Sequence, residues 1–194
     1  MRPFLLLLCI LCVTGSANAQ TQTARTFTKG SYYDTTGNKY TGFLRLKVPN
    51  KGVLDFSHFG FLFQQTEAEP EKEISVDQVK NFTVGVDSFV VTHNPKLEKA
   101  PVLKVLLNTA IKLYYSESYN RGNMLTANFN AVVNGSGSYF YGPDPDNLQL
   151  ITRKNFKEAL SQVMEAKPNV VANIQNGNFT YGYMDDLIKY YKVR

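Results

Sequence analysis

The sequence predicts an α+β fold: a curved antiparallel β-meander, barrel- or sandwich-like, followed by three short C-terminal helices packed on it. Short segments with an apolar residue at every second position recur up to about Thr152, and clusters of Asp, Asn, Gly and Pro separate them. At Asn155 the apolar spacing changes to that of an α-helix.

The chain opens with Met1, Arg2 and an apolar block at residues 4–13, and then Ala17-Asn18-Ala19 before Gln20. One positive charge, a short apolar run and small residues two apart form the pattern of a secretory signal peptide, with Ala17 and Ala19 read by the peptidase and Gln20 starting the exported chain. The run is roughly half of the about 20 apolar residues that a spanning helix needs, so no transmembrane segment is expected. Both cysteines, Cys9 and Cys12, lie in this leader, so the exported chain meets an oxidising compartment without a disulfide. Residues 20–28 are polar and threonine-rich, and read as a flexible tether. Residues 29–194 read as a single domain, with the sheet in 29–152 and the helices in 153–194. A chain of this length buries about 70% of its unfolded surface, enough for one core without a metal or a partner.

The first hairpin joins residues 31–33 to 40–48 around Asp34, Gly37 and Asn38, which suit a turn; Leu44, Leu46 and Val48 alternate with Arg45 and Lys47. Residues 56–63 predict a third strand, and Glu67, Glu69, Pro70, Glu71 and Glu73 an exposed break. Residues 74–79 fit either class. Phe82, Val84 and Val86 alternate with Asn81, Thr83 and Gly85, and residues 88–92 resume the pattern beyond a tight joint at Asp87. Pro95 and Pro101 bracket a loop, because the residue before a proline is driven out of the helical region. Residues 102–108 and 111–116 are two further strands, and 125–133 is a long half-buried one, with Leu125, Ala127, Phe129, Ala131 and Val133 on one face. After a turn at 134–137 come 138–141, a Pro-Asp turn at 142–147, and 148–152.

Asn155 with Glu158 has the spacing of a capping box, and Phe156, Leu160, Val163 and Met164 share a helical face. Pro168 ends that helix and starts a second, which carries Val170, Val171 and Ile174 to Asn176-Gly177. A third spans 184–192, with Asp185 and Asp186 at its start, Lys189 and Lys192 near its end, and Tyr183, Leu187, Tyr190 and Tyr191 as its apolar stripe.

The formal charge of +5 is a mild excess that favours anionic surfaces. No basic stripe interleaved with aromatics occurs, so nucleic acid is not an expected partner. His58 and His93 have no second ligand at metal spacing, and Asp144, Asp146 and Asn147 lack the glycine and distal glutamate of a calcium loop; no metal or cofactor is expected. Asp185 and Asp186, adjacent on a helix, read as a helix start rather than an acid–base pair. Gly135-Ser136-Gly137 is one residue short of a nucleophile elbow, and no glycine-rich phosphate loop is present. Asn81, Asn134 and Asn178 begin N-glycosylation tripeptides, a pattern short enough to arise by chance.

Lys29-Gly30 with Tyr32-Tyr33, Ile74-Ser75-Val76-Asp77 with Asn81-Phe82, Gly85-Val86-Asp87-Ser88-Phe89, Val105-Leu106-Leu107 with Leu113-Tyr114-Tyr115, Lys154-Asn155-Phe156 and Leu187-Ile188-Lys189-Tyr190-Tyr191 together cover most of the chain beyond the leader. In these segments it resembles a family of exported β-rich proteins of unknown function, widespread in Bacteroidota-type bacteria. The resemblance implies a periplasmic, outer-surface or secreted location and no transferable catalytic residue. Asp34-Thr35-Thr36 is similar to the O-glycosylation acceptor of such bacteria.

Tyrosine and phenylalanine are abundant, 12 and 13, with no tryptophan. Tyr114, Tyr139 and Tyr141 are the candidate binding aromatics, together with Tyr115, Tyr119, Tyr181 and Tyr183, because tyrosine joins an apolar ring to a polar tip. Most of these rings also suit core and helix–sheet packing. The expected function is that of a non-enzymatic envelope or secreted protein acting by binding, its partner an envelope protein, a surface polymer or an apolar ligand. Two alternatives stand beside it: a small-ligand carrier with a closed β-barrel cavity, and a hydrolase using carboxylates such as Asp77, Asp87 or Glu117, which requires two carboxyl groups facing across a cleft.

Overall fold

The computed structural model describes residues 26–46, 60–98, 100–116 and 137–193. The leader with Ala17, Ala19 and Gln20, the strand expected at 125–133, and the residues Tyr119, Glu117 and His58 lie outside them.

Among the described residues ten strands form one antiparallel sheet: β1 (Thr28–Asp34), β2 (Lys39–Leu46), β3 (Gly60–Gln64), β4 (Lys72–Ser75), β5 (Val79–Val84), β6 (Asp87–Val91), β7 (Val102–Leu107), β8 (Lys112–Ser116), β9 (Ser138–Gly142) and β10 (Gln149–Leu150). Three helices follow: α1 (Phe156–Val163), α2 (Pro168–Gln175) and α3 (Met184–Val193). The order across the sheet is β10-β9-β8-β7-β6-β5-β1-β2-β3-β4. The ambiguous segment at 74–79 divides between the end of β4, a 3-10 turn at Val76–Gln78 and the start of β5.

The first five strands curl strongly. β5 and β3 stand three strand spacings apart, about 14 Å on a flat sheet, yet the rings of Phe82 and Phe61 meet at 5.3 Å. Likewise β4 and β5 lie four spacings apart, about 19 Å when flat, but only the Val76–Gln78 turn links them, and four residue steps reach at most about 14 Å. The chain can be connected only if the sheet rolls up. Gly30 and Gly42, opposite each other on the inner face, permit the tight approach: a Cβ on Gly30 would strike the Thr83 carbonyl oxygen, and one on Gly42 the Gln64 carbonyl oxygen. Rolling stops short of a closed barrel, because both edges of β5 are already taken, by β1 and β6. The inside of the roll is filled by Leu44, Phe61, Phe82, Val79 and Ile74, all essentially buried.

A single register row runs Tyr40–Tyr32–Phe82–Phe89–Lys104–Tyr115–Tyr139 across seven strands, so the aromatic cluster and the helical cluster share one face of the sheet. The Lys104–Asp87 ion pair, 2.8 Å long and mostly shielded, sits where the two meet. Beyond it, Leu113 and Tyr141 from the sheet receive Phe156, Leu160, Val163, Ile174 and Leu187 from the helices. The expected covering of one end of the sheet by the C-terminal helices is what the fold shows.

Local details depart from the sequence reading where hydrogen bonds outweigh pattern. Val86 belongs to a two-residue turn between β5 and β6 and is fully exposed, because Gly85 takes φ +60, a left-handed geometry that favours glycine. Asn155 stands at the start of α1, but its side-chain oxygen accepts from the backbone N–H and hydroxyl of Thr152 instead of capping the helix. Tyr183 lies on a 3-10 turn ahead of α3 and is 60% exposed, so it leaves the apolar stripe. Pro168 and Gly177 behave as expected: Gly177 has φ +81, its N–H reaches Ile174, and the Asn178 N–H reaches Asn173, a Schellman ending of α2.

Candidate functional site

A recess of about 240 Å3 opens at one mouth of the rolled half, lined by Tyr32, Asp34, Thr35, Thr36, Tyr40, Lys72, Ile74 and Gln78. The mouths of β-barrels are favoured places for ligand sites. The β1–β2 turn supplies one side, β4 and the following 3-10 turn the other, and the Thr35 N–H to Gln78 carbonyl bond of 3.2 Å ties them together. Antiparallel register sets Tyr32 opposite Tyr40, and their rings stack at 4.8 Å with 15° between planes. Tyr32 is buried and braced by Phe61 and Phe63; Tyr40 is 38% exposed.

Asp34 is the electrostatic centre of the recess. Its carboxylate accepts five hydrogen bonds: from the backbone N–H and hydroxyl of Thr36, the backbone N–H and side-chain amide of Asn38, and the Tyr40 hydroxyl. The Thr36 hydroxyl, aided by both Asn38 donors, pulls its pKa from 3.8 down to about 2. Burial, and then the nearby Tyr40 and Asp34, push the Tyr32 phenol up. Lys72 is exposed on the rim, and its ammonium makes no hydrogen bond or ion pair among the described residues. The Thr35 hydroxyl and the Gln78 side-chain amide are likewise uncommitted there, and Thr35 is exposed at the tip of the turn.

The aromatics singled out from sequence are placed elsewhere. Tyr141 is buried with its hydroxyl donating to Gln149, 2.8 Å away. Tyr139 packs between Tyr115 and Tyr181 and donates to Asp185 at the start of α3, and burial followed by the Asp185 charge raises its pKa well above the ordinary value. Tyr114 is fully buried on the opposite face, between Val105 and Phe140. Burial, and then Asp144 and Asp146, push it up to about 12, and its hydroxyl has no partner among the described residues. The recess draws instead on Tyr32, Tyr40, Lys72 and Gln78. Two tyrosines flanking a turn at matching distances were the available signal; Lys72 and Gln78 arrive only through the roll of the sheet.

Of the carboxylates named for hydrolysis, Asp77 and Asp87, the two among the described residues, do not assemble. Asp87 pairs with Lys104, while Asp77, on the Val76–Gln78 turn, lies at the other end of β5 and accepts from Ser75. Among the described residues no three His, Cys, Asp or Glu side chains gather as metal ligands. Asp144 spends its oxygens on the Asp146 and Asn147 backbone and the Asn147 amide, which lower its pKa, as a turn carboxylate does. Asp146 accepts from the His93 backbone and Thr92 donates to the Pro145 carbonyl, fixing that turn over the end of β6. No helix among the described residues is long and apolar enough to cross a membrane.

No family model, no curated protein and no solved structure matches the chain.

Proposed function

We propose that this is an exported, non-enzymatic protein that acts by binding, and that the recess at the mouth of the rolled sheet is where it binds. The observation that carries the reading is the pairing of a braced aromatic stack with an uncommitted ammonium, amide and hydroxyl around one small hollow. Its Asp34 carboxylate, lowered to about 2 by hydrogen bonds from Thr36 and Asn38, is ionised and engaged within its own turn, which suits a fixed charge far better than proton transfer near neutral pH. Export is supported by the leader ending at Ala17-Asn18-Ala19 and by the resemblance to exported proteins of Bacteroidota-type bacteria. A partner in the envelope, protein or polymer, follows from that address.

The test has two parts. The product recovered from a bacterial envelope or medium should begin at Gln20 by mass spectrometry. A tagged chain starting at Gln20, which contains every described element, should retain from the envelope fraction a component that the Tyr40→Ala/Lys72→Glu variant does not. Precursor remaining in the cytosol, or equal retention by both proteins, refutes the reading.

A further inference from the structure

We infer that the recess accommodates a single sugar ring, stacked on Tyr40 and hydrogen-bonded by Lys72, Gln78 and Thr35; the inference rests on the binding role proposed above and names its ligand. The hollow, about 240 Å3, is smaller than the about 300–1,000 Å3 of sites for drug-sized molecules, so it holds one ring rather than a chain. Its aromatic wall is braced, because the Tyr40 ring stacks on the buried Tyr32 at 4.8 Å. A braced ring face of this kind receives the C–H face of a pyranose.

The polar side of the hollow selects against other occupants. Lys72 brings three donors, Gln78 donors and an acceptor, and Thr35 one of each. An apolar ligand would strip these groups of water and return no hydrogen bonds. A multiply charged anion would meet the ionised Asp34, and a cation would meet Lys72. A ring bearing several hydroxyls satisfies every group at once, since each hydroxyl both donates and accepts.

Titration of the 15N-labelled chain from Gln20 with glucose, galactose, N-acetylglucosamine and glucuronate, followed by amide shifts, tests the assignment. At least one sugar should saturate with a Kd near about 1 mM, moving Thr35, Thr36, Tyr40, Lys72 and Gln78; Tyr40→Ala should weaken it at least about tenfold, while Tyr40→Phe, which keeps the ring, should bind nearly as wild type. Retained signal dispersion in both variants shows that the fold survives. No saturable shift with any of the four up to about 100 mM, or undiminished binding by Tyr40→Ala, overturns the sugar assignment. If Tyr40→Ala/Lys72→Glu loses the envelope component while no sugar titrates, the binding role stands and the sugar falls.

Discussion

Asp34 shows how much one side chain organises. Its neighbours Thr36 and Asn38 are two and four residues away, so the hydrogen bonds that lower its pKa are local and were foreshadowed by a turn rich in Asp, Asn and Gly. A folded pKa below the unfolded value means that the ionised carboxylate favours the folded state. That contribution is complete above the ordinary value of 3.8 and disappears as pH falls through about 2. In urea titrations the wild type should therefore exceed Asp34→Asn in stability at neutral pH, with the gap closing between about pH 4 and about pH 2; a gap independent of pH would contradict the assignment. Lys72 and Gln78 offered no comparable local signal, since what matters about them is which turn they face.

At the scale of elements, the helices were the most legible part of the chain. Pro168 at the first turn of α2 and Gly177 beyond its end act through backbone geometry that needs no distant partner. The closing contact of α3 is different. Lys167, at the start of α2, donates to the Tyr191 carbonyl at 2.6 Å, with its ammonium 4.5 Å from the Tyr191 ring centroid. A cation there satisfies an end carbonyl and complements the helix dipole. Lys167→Met, which keeps the stem, should cost about 1 kcal/mol and speed hydrogen exchange in the last turn of α3, both measurable by urea unfolding and mass spectrometry. Strand boundaries were less legible: alternation ran through Gly85-Val86 as if the strand continued, whereas a left-handed glycine reversed the chain there.

At the scale of the whole molecule, the described residues form one sheet with two filled regions on the same face, one closed by its own curvature and the other by helices. Because the sheet runs unbroken between them and the Lys104–Asp87 pair joins the two regions, they should unfold together. Leu187→Ala, in the helical region, should cost about 2–5 kcal/mol and Phe61→Ala, in the rolled region, about 3–5 kcal/mol. Each should shift tyrosine near-ultraviolet and far-ultraviolet dichroism by the same amount, in one transition; two separated transitions would show that the halves fold independently.

The sequence by itself determined the class of the fold, the order of strands before helices, the turn at Asp34–Asn38 and the ends of α2, because alternation, helical spacing and the special backbone freedom of Pro and Gly act over a few residues. Only the tertiary structure decided that the first five strands roll into an open, filled half-barrel, that Tyr114 and Tyr141 are buried while Tyr139 packs between Tyr115 and Tyr181, and that Lys72 and Gln78 meet the Tyr32–Tyr40 stack. Those outcomes depend on how far a sheet can bend before its side chains fill the space inside, and on β5 having just two edges to offer; neither quantity is written in any short stretch of chain.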